Sequence, residues 1–241
     1  IQLGKNESVT ALFVVTGEKF EGEYLFMATK TGTVKKTAVA QFANVRKSGL
    51  IAIKLRDDDS LSWVKQTQKG NKIMIVTREG KCIQFDEADV RAMGRASVGV
   101  RGIKLRSGDE VIEMDVVTNE KAQLFVVMEN GIGKRTPVED YRFQGRGGTG
   151  VKTANLNAKT GKIVGAKVVD PDQDSDVMVM SKGGVMIRTS LKNIPSRGRA
   201  TQGVYIMRVK SGDRVASMSL IDDTQEGKEV AAEAPAEATL V

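Results

Sequence analysis

The sequence predicts an all-β fold in which four-stranded antiparallel blades form a propeller-like radial array. Three observations support this prediction. A turn glycine recurs with a period near 50 residues, each period contains four short apolar runs, and long apolar stretches with helical periodicity are nearly absent. Repeats of this length with four short strands are typical of radial β-sheet arrays, whereas helical solenoids would show a 3.6-residue periodicity.

Each repeat begins with a predicted β-hairpin. The turn glycines are Gly32, Gly80, Gly131 and Gly183, which lie 48, 51 and 52 residues apart. An apolar run such as YLFMAT or QLFVVM precedes each glycine, and a second short run such as TVKKT or IGKRT follows it. This order is typical of a hairpin because glycine supplies the positive φ of a tight turn.

The second half of each repeat contains two further extended segments. A second glycine, 17 to 20 residues after the turn, precedes a segment such as LIAIKL or VRGIKL. A turn and a fourth apolar run, such as EVIEMDVV, complete the repeat. We therefore expect a single domain over residues 1–221, with approximate units at 9–58, 59–108, 109–161 and 162–221.

The predicted domain is strongly basic and is followed by an acidic tail. Residues 222–241 contain six acids and one lysine, which leaves 36 basic and 24 acidic residues in 1–221. A body with this charge favours an anionic partner, with nucleic acid first and a membrane surface second. We expect the Ala/Glu-rich tail to be disordered. It is either a solubilising end or a competitor for the ligand of the basic body, in which case its deletion tightens binding.

Composition excludes several catalytic chemistries. The chain contains no histidine, which rules out histidine-based triads and histidine metal ligands. The single cysteine, Cys82, cannot form an intramolecular disulfide or a cysteine-rich zinc site, and we expect it to be a packed core residue. No segment approaches the ~20 apolar residues of a membrane span, and no signal peptide is visible. We expect a soluble cytosolic protein without a catalytic residue, a metal site or a membrane partner.

Basic residues recur in register with the repeats. They lie on the second hairpin strand and on the loop that follows it, so a radial array would place them on one curved stripe that suits a polyanion. The candidate DNA-binding residues of this stripe are Lys35, Lys36, Arg46, Lys47, Arg91, Arg95, Lys134, Arg135, Arg142, Arg146, Arg188, Arg197 and Arg199.

A glycine-rich loop at residues 144–150 adds a second candidate element. Glycines allow backbone amides to approach an anion, and an arginine can bind a phosphate through two N–H groups. The candidate residues are Gln144, Arg146, Gly147, Gly148 and Gly150. The same string could also be a flexible turn, and it matches neither a P-loop nor a dinucleotide-binding fingerprint.

Four segments resemble successive blades of the C-terminal domain of the DNA gyrase A protein. They are FMATKTGTVKKT (26–37), VRAMGRASVGVRGIKL (90–105), GIGKRTPVEDYRFQGRGGTGVKT (131–153) and GRATQGVYIMRV (198–209). The resemblance covers roughly residues 1–221. It implies a β-pinwheel, in which one hairpin strand is exchanged between neighbouring blades, and a basic rim that wraps DNA so that strand passage introduces negative supercoils.

The glycine-rich loop departs from the signature box of this family, Q-[RK]-R-G-G-[RK]-G. Gly145 and Thr149 replace the two flanking basic residues of the box, and the loop lies in the third unit of the chain, whereas the box belongs to the first blade of six. We therefore expect the chain to correspond to the last four blades, with the box upstream of Ile1.

The resemblance also implies how the chain would take part in a larger enzyme. The nucleophilic tyrosine would belong to the N-terminal part of the same gyrase A protein, and the gyrase B protein would hydrolyse ATP within a heterotetramer, with Mg bound by other domains. Tyr24, Tyr141 and Tyr205 lie in no matching catalytic motif. The expected partner of this chain is double-stranded DNA, at the nucleoid in the cytoplasm, and no cofactor is expected within it.

Three alternatives stay open at this point. The chain could be the C-terminal domain of the A-type protein of topoisomerase IV, which has fewer blades and degenerate boxes. It could be a propeller-like platform for protein interaction, or an enzyme in its own right. The last alternative needs a pocket of perturbed acids or a metal, and the sequence supplies neither.

Overall fold

A computed structural model describes residue 9 and residues 23–43 and 49–222. Within these ranges the chain forms 15 β-strands and four short 3-10 helices. The strands are β1 (Tyr24–Thr29), β2 (Thr33–Ala38), β3 (Leu61–Thr67), β4 (Lys72–Thr77), β5 (Lys81–Asp86), β6 (Val100–Arg101), β7 (Val111–Val117), β8 (Gln123–Met128), β9 (Ile132–Pro137), β10 (Val151–Lys152), β11 (Ile163–Val169), β12 (Ser175–Ser181), β13 (Met186–Ser190), β14 (Val204–Tyr205) and β15 (Val215–Asp222). The 3-10 helices are Val39–Phe42, Glu87–Asp89, Val138–Asp140 and Leu191–Asn193.

The strands form four antiparallel sheets, one for each predicted hairpin. The strand orders are β3-β1-β2-β6 in the first blade, β10-β5-β4-β7 in the second, β11-β8-β9-β14 in the third and β13-β12-β15 in the fourth. The all-β prediction and the four hairpins are confirmed. Because β3 pairs with β1, the first blade crosses the unit boundary expected at residue 58.

Each of the first three blades receives its edge strand from the following repeat. The strand β6 comes after the hairpin of the second blade, yet it pairs with β2 of the first blade through Val34 and Val100. In the same way β10 pairs with β5, and β14 pairs with β9. The exchange explains the second glycine of the last three repeats, because Gly203 approaches the β9 backbone so closely that a Cβ would lie 2.4 Å from the Gly133 oxygen, and Gly99 and Gly150 make equivalent approaches.

Two features of the sheets correct the expectation of four equal four-stranded blades. The fourth sheet has three strands, because no described residue follows it that could supply an exchanged strand. The segment LIAIKL (50–55), which the sequence predicts to be an extended segment of the first unit, forms no strand and belongs to none of the sheets of the described residues. The predicted acidic tail lies beyond the described residues, apart from Asp222 at the end of β15.

The apolar core lies between successive blades. Along β4, Ile73 and Ile75 belong to a cluster with Phe26 of the first blade, whereas Met74 and Val76 belong to a cluster with residues of the third blade. Side chains that alternate along a strand point to opposite faces of its sheet, so an inner blade is buried on both faces. Cys82 is buried in one of these clusters, as predicted, and burial raises the pKa of its thiol.

A series of ion pairs also joins the first three blades at their hairpin turns. Arg78 binds Glu110 on one side (Nη1–Oε1 3.0 Å) and Glu129 on the other (Nη2–Oε1 2.9 Å), and Lys30 reaches Glu110 at 2.8 Å. Against the effect of burial, the Lys30 and Arg78 side chains lower the pKa of Glu110. Burial likewise opposes the change at Glu129, whose pKa is lowered by the Lys162 N–H and by Arg78.

Replacing Arg78 with alanine should therefore destabilise the array at neutral pH by about 1–2 kcal/mol, a value reduced for the partial exposure of the guanidinium. The folded pKa values of the two glutamates lie below their unfolded values of about 4.3. The contribution is therefore present above that pH and is lost as the pH falls through the lower folded values. Urea unfolding of the wild type and of Arg78→Ala at pH 7 and pH 3 measures this difference. Arg106→Ala is the control, because Arg106 is exposed and forms no ion pair with another described residue; equal losses in the two variants would contradict the prediction.

Candidate nucleic-acid interface

Three equivalent loops lead from the blade hairpins to the exchanged strands, and we call residues 91–99, 142–150 and 195–203 the rim loops. Each loop first runs beside the second hairpin strand of the preceding blade. Isolated parallel bridges pair Lys36 with Ala92, Gln84 with Phe143 and Arg135 with Ser196. The backbone N–H of the next loop residue donates to the strand carbonyl at 2.8–2.9 Å in all three cases. The sequence repeat therefore places the three rim loops at equivalent positions on successive blades.

Backbone hydrogen bonds connect each rim loop to the segment that follows the preceding exchanged strand. Lys104 N–H donates to the Gly148 carbonyl at 2.8 Å, and Asn155 N–H donates to the Thr201 carbonyl at 3.0 Å. The first rim loop is bound in the same way by Lys54, whose N–H donates to the Ser97 carbonyl at 3.1 Å. The segments that follow β6 and β10 therefore connect each rim loop to the next one, and the three loops form one continuous strip.

Arg146 and Arg199 hold equivalent places in two rim loops and make the same cross-blade contact. Arg146 Nη1 donates to the Arg101 carbonyl at 3.2 Å, and Arg199 Nη1 donates to the Lys152 carbonyl at 3.2 Å. Arg146 Nε also donates to the carbonyl of Asp89 at 2.9 Å. A guanidinium has five N–H donors, so both side chains keep donors for a further acceptor. Their role in binding DNA stays a prediction.

Three predicted arginines on the rim loops are exposed and unpaired within the described part of the chain. Arg91 and Arg142 precede the residues that form the parallel bridges, and Arg197 lies next to the third bridge. Their guanidinium groups form neither an ion pair nor a hydrogen bond with another described residue. Arg95, on the first rim loop, is half-buried, and its backbone N–H donates to Gln41 Oε1 at 3.3 Å. These side chains have the charge and the accessibility that a phosphate contact requires.

Three predicted lysines do not reach the surface, which corrects the sequence interpretation. Lys35 and Lys134 are 0% exposed, and their ammonium groups bind backbone carbonyls inside the protein. Lys36 is 7% exposed, forms an ion pair with Glu87 at 2.8 Å and lies over the ring of Tyr24. The strand β2 is buried along nearly its whole length, and so is β9 at Lys134, so these basic residues are buried with their strands.

Two further predicted arginines use their charge within the protein. The Arg135 side chain is half-buried, and its Nε donates to the carbonyl of Ile194 at 2.6 Å. Arg188 is exposed but forms an ion pair with Asp176, with 2.6 Å between Nε and Oδ2. Both are weaker candidates for phosphate contacts than the unpaired arginines of the rim loops. The predicted residues Arg46 and Lys47 lie outside the described residues.

The glycine-rich loop packs against the backbone of neighbouring segments. Gly147 has a φ of +82° and its N–H donates to the Gly102 carbonyl at 2.6 Å, so this amide is not available to an anion. A Cβ at Gly150 would lie 2.6 Å from the Cys82 oxygen, which makes glycine necessary beside β5. Gln144 is half-buried and its N–H donates to the Gln84 carbonyl. The loop is therefore a packed element, and the interpretation of its amides as a phosphate cradle is corrected at Gly147.

The structure adds basic residues that the sequence analysis missed. Arg101 and Lys152 are exposed on β6 and β10, two residues after the second glycine of their repeats. Arg101, Arg56 and Lys104 line an open cleft of about 370 Å³ beside Thr31. The available signal was the recurrence of Gly-Val followed by a basic residue at 99–101 and 150–152.

The described residues contain no group of three or more histidine, cysteine or acidic side chains arranged to hold a metal ion. Within the same residues, none of the helices has the length and apolar character needed to cross a membrane.

Comparison with known proteins identifies the repeat. The chain matches the family model described as "DNA gyrase C-terminal domain, beta-propeller" four times, over residues 23–68, 71–118, 123–170 and 175–222. The chain belongs to the DNA gyrase C-terminal domain family. DNA wrapping is the role of this domain type, so the predicted family, fold class and domain function are confirmed.

Relatives and solved structures agree with this assignment. The chain is 38% identical over 224 residues to the DNA gyrase A protein of Staphylococcus epidermidis and 38% identical over 227 residues to that of Staphylococcus aureus. These alignments cover 92% and 94% of the chain but 25% of each relative, so the chain spans about a quarter of their length.

Two solved structures share the fold. A structure of the DNA gyrase A C-terminal domain is similar with a TM-score of 0.71 and 28% identity, over 82% of this chain and 65% of that chain. The crystal structure of the C-terminal domain of DNA topoisomerase IV is similar with a TM-score of 0.78 and 24% identity, over 85% of this chain and 64% of that chain. At that identity the second structure supports the fold alone.

Proposed function

We propose that the rim loops form a track for duplex DNA, which crosses successive blades and bends around them. The observation that supports this most is the continuity of the strip. Backbone hydrogen bonds join the rim loops, and Arg91, Arg142 and Arg197 stand exposed on successive loops. Phosphate contacts supply affinity without sequence information, so we expect binding with little base preference.

Bending explains why several blades are needed. Smooth bending of ~20–30 bp by 40–90° costs roughly 1–6 kcal/mol, which single exposed arginines do not offset. Arginines on successive rim loops neutralise phosphates on the inner face of the duplex and release their counterions together. The hydrogen bonds between the loops fix the spacing of these charges before DNA arrives, which limits the ordering cost of binding.

The larger context follows from the family. We propose that this chain is a non-catalytic part of the DNA gyrase A protein, in which the wrap presents a DNA segment for strand passage and so introduces negative supercoils. The nucleophilic tyrosine then belongs to the N-terminal part of the same protein. The gyrase B protein supplies ATP hydrolysis in the heterotetramer, with Mg bound outside this chain. The proposed setting is the bacterial nucleoid in the cytoplasm.

A salt titration with short and long duplex DNA tests this proposal. We expect log K to fall steeply with log salt, with a slope that corresponds to roughly six or more phosphates at about −0.9 each. We also expect a preference for duplexes long enough to contact several rim loops. Steep binding that is indifferent to length would contradict wrapping by these blades. The absence of binding at moderate salt would contradict the DNA track and favour a protein-interaction platform.

A further inference from the structure

Lys35 and Lys134 occupy equivalent positions in the first and third blades, three residues after the turn glycine. Both side chains are fully buried. The equivalent residues in the second and fourth blades are Ile83 and Ile187, the latter counted from Gly184, which has the positive φ of the fourth turn. The blade can therefore be built with an apolar side chain at this position, and the two lysines need an explanation other than the fold.

The two ammonium groups bind the backbone of the rim loops. Lys134 Nζ donates to the carbonyls of Gly198 and Arg199 at 2.7 Å each and to Thr201 Oγ1 at 3.2 Å. These three acceptors match the three N–H donors of an ammonium group. Lys35 Nζ donates to the carbonyl of Ala52 at 2.6 Å and to the carbonyl of Arg95. In each blade, one acceptor is thus the carbonyl of the rim-loop arginine itself.

This arrangement is costly for a purely structural device. Neither lysine forms an ion pair with a carboxylate among the described residues, so neutral carbonyl and hydroxyl groups replace the water around each charge. Replacement of a buried ion pair by apolar side chains is often neutral or stabilising for a fold, and isoleucine occupies this position in two of the four blades. The benefit of keeping the charge therefore lies in what the bound loop does.

We propose that Lys35 and Lys134 are positioning residues for DNA binding, which hold the backbone of Arg95 and Arg199 so that both guanidinium groups meet the DNA track. The inference rests on the proposed function of the rim loops. Lys134 fixes the Arg199 carbonyl while Arg199 Nη1 binds the Lys152 carbonyl, so the arginine is held at both ends. The second rim loop is held differently, through Gly147 and Arg146, and its blade has Ile83 at the lysine position.

The protonation of these lysines should then be linked to DNA affinity. Burial lowers the pKa of both lysines to about 8, and the charges of Arg95 and Arg199 add to the effect. Asp140, the other charged group that faces Lys134, opposes it. Bound phosphates favour the charged form, so DNA binding should weaken as the pH rises through 8. The free energy of unfolding should instead increase as the pH rises through 8. An unfolded lysine keeps its proton up to about pH 10.4, so unfolding in this range takes up a proton, which becomes less favourable as the pH rises.

A double-mutant cycle on the chain with duplex DNA tests the proposal. Lys134→Met should weaken binding about 5- to 20-fold, Arg199→Ala should weaken it by a similar factor, and the double variant should bind no worse than Arg199→Ala. Ile83→Met, the matched substitution in the second blade, should change affinity less than about 2-fold. Losses that multiply in the double variant, or unchanged affinity in Lys134→Met, would overturn the proposal.

A pH profile supplies a readout that a structural role would not affect. Between pH 7 and 9.5, the DNA affinity of the wild type should fall several-fold more than that of Lys35→Met/Lys134→Met. The double variant retains the same N-terminus and Cys82, so any titration of those groups affects both proteins equally. Equal pH profiles would overturn the proposal. If the methionine variants fold poorly, Lys134→Gln replaces Lys134→Met in the comparison, so the test remains possible. A wild-type chain that binds no DNA would refute the proposed function, whereas binding with uncoupled lysines would refute this inference alone.

Discussion

Replacing Arg91, Arg142 and Arg197 together with alanine should weaken DNA binding by roughly 10²–10³-fold at 0.1 M salt. The estimate assumes one phosphate for each arginine, with a contribution of about −0.9 to the salt slope from each contact. The arginines are suitable targets because they are exposed and unpaired with other described residues, so their removal should leave the fold intact. Affinity measured across a salt titration should show both the loss and a slope that is smaller by about 3.

The control for this prediction removes the same number of charges elsewhere. Lys69, Lys121 and Lys182 are exposed in loops and turns outside the rim loops. Their triple alanine variant should lose only the small long-range part of the attraction, less than about 10-fold, because salt screens charges beyond about 10 Å at 0.1 M. Equal losses in the two triple variants would show that net charge, not the rim loops, governs binding.

The repeats predicted the blades because glycine spacing and short apolar runs are local signals. A tight turn requires a positive φ, which Gly32, Gly80 and Gly131 supply as predicted; in the fourth turn Gly184 supplies it, and not the predicted Gly183. The flanking runs then pair as hairpins. The exchange of β6, β10 and β14 came only from the resemblance to a family. A two-residue strand has no periodicity of its own, and its partner lies about 66 residues earlier in the chain, as in the pair Val34 and Val100.

The candidate site was predicted in part, and burial explains the difference. The rim loops were found because their arginines recur, and loops at equivalent positions of a radial array share one surface. Lys35 and Lys134 also occupy equivalent positions, in two of the four blades, but they lie on strands that are covered on both faces. The alignment of the repeats therefore identified equivalent positions, but it did not predict which of them are exposed and which are buried. At Gly147 and Gly150 the sequence could not distinguish a loop whose backbone faces an anion from one whose backbone packs against neighbouring segments.

Replacing Gly203 with alanine should destabilise the array by about 3–5 kcal/mol, as measured by urea unfolding. Gly203 has a φ of +99°, and a Cβ there would lie 2.4 Å from the oxygen and 2.8 Å from the carbonyl carbon of Gly133. Both are backbone atoms of β9, so neither can move away as a flexible side chain would. Relief of the clash requires β14 to separate from β9, which breaks the strand exchange between the third blade and the rim loop at 195–203. DNA affinity should fall with it, because Arg197 and Arg199 lie on that loop.

Gly212→Ala separates the two causes of this loss. Gly212 also has a positive φ, +83°, but nothing lies within 4 Å of its Cβ position. Its variant should therefore lose only the conformational part, about 1–2 kcal/mol, and should retain DNA affinity. If Gly203→Ala cost no more than Gly212→Ala, backbone conformation alone would explain both glycines. A larger loss of stability at Gly203, together with weaker DNA binding, would show that the exchanged strand holds the blades and the rim loop in one arrangement. Stability and DNA binding would then depend on the same backbone contact.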